Sequence, residues 1–289
     1  MFSKIVYSIA LCSLVLSCSN SSNSEKKVQS FDYCVPESAL TQNAIVNGTT
    51  VRENDADSQE VVMLMTRSEE GQVSICTASA ISSDVLVTAA HCVPDSAQDI
   101  VVSLHSSVSC ESGFDSRNDI AKVLDVAKHP DYNPASKTYL KASNDIALVF
   151  MEKKLPAKYK IHDIATPSEI ENQELLFLGY GTTGFTKDGT MILRKTQLPS
   201  QSVKIDIKNK IVEVDQSAGT GICTGDSGGP ALIDLGINRK IVSVNSLVLF
   251  DATTTDADKC GRGAALTMIY PHLDWLKYEL NNRDKVLGY

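Results

Sequence analysis

From Ile45 onward the chain is divided into apolar runs too short for helices, with turn-forming residues between them. The clearest are Val61–Met65, Ile81–Thr88, Ile100–Leu104, Ile146–Phe150, Leu175–Leu178 and Ile241–Phe250. Gly, Asp, Asn and Ser punctuate them, and no regular helical period lies in between. Parallel βαβ units need a helix after each strand, so bare strands in series predict an all-β barrel or sandwich. One helix stands out at the end. In Tyr270–Asn282, Leu273, Leu276, Lys277 and Leu280 recur at three-to-four spacing with Trp275 nearby. No solenoid-type repeat is present.

The first 44 residues have a different character. Lys4 precedes an apolar stretch from Ile5 to Ser17, the layout of a secretory signal. It ends Leu14-Val15-Leu16-Ser17-Cys18, which resembles a bacterial lipobox and implies that Cys18 is acylated as the first mature residue. The competing reading is an ordinary signal peptide cut elsewhere, with Cys18 incidental. The polar run Ser19–Ser24 would let a globular part stand off the membrane. Residues 25–44 are mixed and aperiodic, as in a linker or pro-segment. The expected division is a signal peptide at 1–17, a lipidated tether and pro-segment at 18–44, and one folded domain at 45–289. The expected location is the bacterial cell envelope, at the outer membrane by the Ser19 after the Cys, or free outside the cell after processing.

Composition narrows the function. With 27 Lys+Arg against 35 Asp+Glu in 289 residues, the formal net charge is −8, which disfavours phosphate backbones and therefore nucleic acid. A chain that is 43% hydrophobic and 21% charged is neither disordered nor a coiled coil. No apolar run after residue 20 approaches the roughly 18 residues of a spanning helix, so the membrane is met only through the lipid. Of the 8 cysteines, Cys12 leaves with the signal and Cys18 carries lipid. The remainder, Cys34, Cys76, Cys92, Cys110, Cys223 and Cys260, predict three disulfides in an exported chain, with the pairing open. None forms a Cys-x-x-Cys pair, so a zinc ribbon is set aside. Gly179–Gly184 fits G-x-G-x-x-G, but no helix starts there and no acidic residue follows about 20 positions on, so it reads as a turn.

Three separated segments carry the chemistry: Thr88-Ala89-Ala90-His91-Cys92, Asn144-Asp145-Ile146-Ala147-Leu148 and Gly225-Asp226-Ser227-Gly228-Gly229-Pro230. Alone, each has a structural reading as a core histidine, a turn aspartate or a plain loop. In the order His, Asp, Ser they resemble the chymotrypsin/trypsin-like serine endopeptidases. The resemblance extends from Ile45-Val46-Asn47-Gly48 through His129-Pro130, Gly179-Tyr180-Gly181 and Ile241-Val242-Ser243 to Trp275. It implies two six-stranded antiparallel β-barrels followed by a C-terminal α-helix. His91 and Asp145 would come from the first barrel and Ser227 from the second, with the site in the cleft.

The resemblance assigns each residue a role. Ser227 is a weak nucleophile until His91 takes its proton, and Asp145 orients the imidazole and stabilises its charged form. The backbone N–H groups of Gly225 and Ser227 form the oxyanion hole of an acyl-enzyme mechanism, and Ser243 hydrogen-bonds Asp145. Cleavage between Ala44 and Ile45 would release an α-ammonium group to pair with Asp226, so the chain is expected as a precursor. Cys76–Cys92 and Cys223–Cys260 match family disulfides; Cys34 and Cys110 match none and are expected to pair with each other, tying the pro-segment to the catalytic domain. Gly221 falls at the pocket floor, followed by Ile222, with Asn245 at the mouth. These imply a shallow, uncharged pocket for small or aliphatic side chains. Ala44 departs from the basic residue usual before the cut. No acidic pair resembles the family calcium site, so neither metal nor cofactor is expected. The partners expected of a monomer are protein or peptide substrates and an activating protease. The alternative function is a binding protein on a protease fold that has lost activity; intact His91, Asp145 and Ser227 disfavour it.

Overall fold

The computed structural model describes residues 45–67, 73–108, 114–115, 118–136, 138–181, 191–236, 238–249 and 256–287. The expectations for the signal segment, Cys18, Cys34, Ala44 and Cys110 lie outside these residues. Strand β1 is Thr49–Thr50. Strands β2 (Val62–Arg67), β3 (Val73–Ala80), β4 (Val85–Thr88), β5 (Ile100–Ser103), β6 (Ile120–Lys128) and β7 (Ala147–Met151) form a closed antiparallel barrel in the order β2-β3-β4-β7-β6-β5. Every residue of β4 and β7 is buried, whereas β6 is partly exposed along its length. The difference has a visible cause. The C-terminal helix packs Leu273, Trp275 and Leu276 onto the same apolar core, and Arg283 lies over the Phe150 ring at 4.6 Å. Strands covered on both faces lose the polar–apolar alternation of a half-exposed sheet.

The second half comprises β8 (Asp163–Ile164), the one-turn helix α1 (Pro167–Ile170), β9 (Leu175–Gly179), β10 (Arg194–Leu198), β11 (Val203–Asp206), β12 (Ile211–Asp215), β13 (Pro230–Asp234), β14 (Arg239–Leu249) and β15 (Gly263–Met268). They form a nine-stranded sheet in the order β1-β10-β9-β13-β14-β15-β12-β11, with β8 parallel to β14. The expected second closed barrel is therefore an open sheet among the described residues. The outer edge of β10 is taken by β1, with Thr49 opposite Lys195 and Thr50 opposite Arg194. Pro199, which has no N–H, and the turn Ser200–Ser202 then separate β10 from β11.

Two boundaries also move. The run from Ile81 is a strand only from Val85, because Ile81–Asp84 make a tight bend in which the N–H groups of Ile81 and Ser82 both donate to the Val85 carbonyl. The final helix, α2, spans Leu273–Leu287 and follows a 3-10 turn at Tyr270–His272.

An ionic cluster ties the segment before β2 to the second sheet. Asp57 and Glu60 are each only 7% exposed. Asp57 pairs with Lys195 of β10 and Arg239 of β14, and Arg239 Nη1 reaches Glu60 Oε1 at 3.0 Å. Removing a cation from buried carboxylates leaves uncompensated charge. Arg239→Ala is expected to destabilise the domain by about 3 kcal/mol, read from the urea midpoint. An unchanged midpoint would show that the cluster contributes nothing.

Candidate active site

Strand β4 ends at Thr88, and an extended Ala89 leads into the 3-10 turn Ala90–Cys92 that carries His91. The His91 side chain is 30% exposed, while that of Asp145 is 1% exposed. His91 Nδ1 lies 2.7 Å from Asp145 Oδ2, and the His91 backbone N–H donates to Asp145 Oδ1 at 2.9 Å. Both carboxylate oxygens are thus engaged, which fixes the ring against Asp145 and leaves Nε2 for the cleft. Burial pushes the Asp145 carboxyl up, but the hydrogen bonds from His91 and Ser246 outweigh it and hold the group below the usual carboxylate range. Thr267 Oγ1 donates to the Asp145 carbonyl at 3.0 Å, anchoring the backbone as well.

The hydroxyl on Asp145 is that of Ser246, whose Oγ donates to Oδ2 at 2.6 Å; Ser243, expected in this role, does not reach it. Ser243 Oγ is buried, with no hydrogen-bond partner among the described residues. Ser246 stands at a register shift. Opposite β15, Asn245 pairs with Leu266 and Leu247 with Ala265, so Ser246 is the extra residue of a β-bulge. A bulge redirects the side chain it carries, and this one turns Ser246 toward Asp145. Spacing from Ile241-Val242-Ser243 cannot reveal it; the only trace in the sequence is a second serine three residues on.

Ser227 is half-buried on a loop pressed against the first barrel. A Cβ at Gly228 would lie 2.0 Å from Thr88 Oγ1 and 3.1 Å from Ala89 N, so the residue after Ser227 touches the strand end that leads to His91. Thr77 binds the same loop from β3. Its N–H donates to the Ser227 carbonyl at 2.8 Å, and its Oγ1 lies 3.4 Å from the Gly225 carbonyl. Thr77 was not foreseen, because a threonine in an apolar strand reads as an ordinary β-former. Gly225 has φ of +91°, a left-handed conformation that glycine adopts at little cost, and it separates Thr224 from the buried Asp226. Disulfides clamp both ends of the arrangement: Cys76–Cys92 beside His91, and Cys223–Cys260 beside the Ser227 loop. His91, Cys76 and Cys92 cluster closely, but the disulfide leaves no thiolate to bind a metal there.

Asp226 is fully buried. Gly181 N–H donates to Oδ1 at 2.9 Å and Cys223 N–H to Oδ2 at 2.8 Å. Burial nevertheless raises its carboxyl to about 7, against the opposing pull of these two N–H groups and the Arg194 charge. The segment beginning at Ile45 is docked on Gly219 and Gly221. Ile45 is fully buried, Val46 exchanges hydrogen bonds with Gly221, and Asn47 Nδ2 donates to the Gly219 carbonyl at 2.6 Å.

A cavity of about 240 Å³ opens beside Ser227. Ile222 and Asn245 line it as expected, but Gly221 and Ser243 do not; Ser246, Leu247 and Val248 form the rest of the wall with Cys223 and Thr224. No charged side chain is among these residues. Gly221 lies behind the wall against Gln216, where a Cβ would come within 2.2 Å of Gln216 Cδ. Gln216 is buried and bonded to both backbone groups of Ile222, holding that side chain in place.

The trypsin family model matches residues 45–268. Among curated proteins, phenoloxidase-activating factor 3 of Holotrichia diomphalia is 26% identical over 227 residues, covering 70% of this chain and 63% of its own length. Serine protease SP24D of Anopheles gambiae is 26% identical over 219 residues, or 72% of this chain and 73% of its own. Ovochymase of Halocynthia roretzi is 27% identical over 220 residues, or 70% of this chain and 13% of its own. The chain belongs to the trypsin family, and residues 45–268 form a serine endopeptidase domain of chymotrypsin-like fold.

Asp226 makes the uncut chain pH-sensitive. Its folded value of about 7 lies above the ordinary 3.8, so the folded state binds the proton more tightly and stability falls as pH rises from about 4 to about 7. In an uncut Ser227→Ala background, Asp226→Asn is expected to remove that part of the decline in thermal midpoint. Identical pH profiles with and without Asp226 would place the sensitivity elsewhere.

Proposed function

We propose that this chain is a serine endopeptidase made as a precursor and activated by cleavage before Ile45. The observation that carries the reading is the His91 Nδ1–Asp145 Oδ2 contact of 2.7 Å, alongside a Ser227 loop packed on the strand end that bears the histidine. Ser227 Oγ attacks the scissile carbonyl as His91 Nε2 takes its proton. The oxyanion is met by the N–H groups of Gly225 and Ser227. His91 then protonates the leaving amine, which departs and leaves the acyl-enzyme. Water, deprotonated by His91, attacks the ester, and Ser227 recovers its proton as the acid product leaves. Cut enzyme should react with a fluorophosphonate probe, and Ser227→Ala should not. His91→Ala should lower turnover by about 10⁴-fold or more, and the double variant should be scarcely worse, because the residues act as a unit. A cut wild type that fails to label, or additive losses, would refute the assignment and favour a binding protein.

The pocket supports a small or aliphatic residue on the acyl side of the cut bond. Its walls, Ile222, Leu247 and Val248, are apolar, and no carboxylate lines it to hold Lys or Arg. Val248, two residues past Ser246, takes the obstructing role first expected of Asn245. A peptide library should give Ala or Val first, and Val248→Gly should raise kcat/KM for Phe relative to Ala by about tenfold or more. Selection of Arg would contradict this. Ala44 suits such a pocket, which makes self-activation the simplest route alongside a separate activating protease.

Location follows from the N-terminal cysteines. Acylation at Cys18 and a Cys34–Cys110 bond would keep the cut enzyme on the bacterial envelope as two linked chains; the Leu14–Cys18 pattern and the two cysteines left unmatched support this. Activity of cut enzyme should pellet with membranes and be released by reductant or by Cys18→Ser. Soluble activity before reduction would exclude the tether.

A further inference from the structure

The cavity beside Ser227 contains a polar side-chain atom that the fold leaves unpaired. Asn245 is fully buried on β14, immediately before the bulge residue Ser246, and it lines that cavity. Its other polar groups are committed. The backbone N–H donates to the Gly229 carbonyl and the backbone carbonyl accepts from the Gly228 N–H, both at 2.8 Å. The side-chain Nδ2 donates to the Asp226 carbonyl at 3.1 Å. Oδ1 is left buried, with no hydrogen-bond partner among the described residues. A buried carbonyl oxygen without a donor is costly, so one at the wall of a substrate cavity marks a place for a donor.

The neighbouring side chains do not supply it. Ile222, Leu247 and Val248 are apolar, and the Cys223 sulfur is held in a disulfide. The Ser246 hydroxyl donates to Asp145 Oδ2 at 2.6 Å, and Thr224 is exposed at the rim. The amide is also fixed in direction. Nδ2 is held on the carbonyl of the residue before Ser227, so Oδ1, on the same carbon, stands near the head of the cavity. A hydroxyl on the first carbon of a substrate side chain is the donor suited to that depth.

We propose that Asn245 Oδ1 accepts a hydrogen bond from the side chain of the residue whose carbonyl Ser227 attacks, so that the cavity reads threonine and serine as well as small apolar residues. The inference rests on the endopeptidase reading and adds a polar contact to its specificity. Alanine keeps the first place, because it leaves room for a water on Oδ1. Valine fills that space and leaves the oxygen unpaired, whereas threonine has the same shape and donates to it. A wholly apolar pocket treats this pair the other way, favouring valine by up to about 100-fold.

Cut enzyme is assayed on peptides that differ only at this residue: Ala, Val, Thr, Ser or α-aminobutyrate. The kcat/KM for Thr should equal or exceed that for Val, and the value for Ser should equal or exceed that for its isostere α-aminobutyrate. Asn245→Leu keeps the shape and removes the acceptor, and it should lower the Thr-to-Val ratio by about tenfold or more. Loss of the Nδ2 bond to Asp226 acts on every peptide alike and cancels in the ratio. A wild type that prefers Val to Thr, or a ratio unmoved by Asn245→Leu, overturns the proposal and leaves the activity intact. If Asn245→Leu does not fold, the wild-type pair of Ser and α-aminobutyrate decides, and a preference for α-aminobutyrate overturns the proposal. Failure to cleave any of the peptides overturns it too. If the cut wild type also fails to label with a fluorophosphonate probe, the activity reading falls with it.

Discussion

Much of the second half of this molecule is arranged around one buried carboxylate. Asp226 has no access to water, and among the described residues its oxygens receive the N–H groups of Gly181 and Cys223. A buried anion with two neutral donors is under-solvated, which is why its proton is held so tightly. Space for the carboxylate exists because Gly179 and Gly181 supply no side chain. The Gly-Tyr-Gly turn that mimics a nucleotide-binding motif in the sequence is thus explained by packing. The fixed Asp226 in turn sets the path of the backbone on both sides, toward Gly225 and toward Ser227.

The site is assembled from two halves that share few covalent links, so its geometry relies on contacts across the boundary. Thr77 belongs to the first barrel yet holds the carbonyls on either side of Asp226, and Thr88 packs against Gly228. Asp145 precedes β7 but takes hydrogen bonds from Ser246 and Thr267 of the second sheet. Each half therefore completes the other's part of the site. The two disulfides lie beside the segments that must not drift, the histidine turn and the pocket wall.

The sequence was legible where chemistry demands particular residue types at close spacing. The His91 and Asp145 segments that meet in the structure, the two disulfides and the buried Asp226 were all readable. The fold class was readable from short apolar runs without helical period. What escaped depended on backbone geometry. Ser246 and not Ser243 reaches Asp145, at a bulge in β14 that no residue type announces. The second sheet is open because β10 and β11 do not pair: Pro199 and the turn Ser200–Ser202 stand between them, while β1 borders β10 at Arg194 and Lys195. Thr77 was silent because its partners Tyr180 and Gly225 lie more than a hundred residues away, and Gln216 because only the folded turn brings Ile222 and Cys260 onto it.

The bulge at Ser246 has a further effect on how this strand can vary. Side chains alternate along a strand, so one extra residue exchanges the two faces for everything after it. Upstream of the bulge, β14 sends residues into the core of the second sheet; at and beyond it, Ser246 meets Asp145 while Leu247 and Val248 wall the cavity. Substitutions at 247 and 248 can therefore retune what the cavity admits without touching the acid that orients His91. A one-residue deletion would withdraw the serine and reverse the wall together. Over evolutionary time this strand can drift in side chain but not in length.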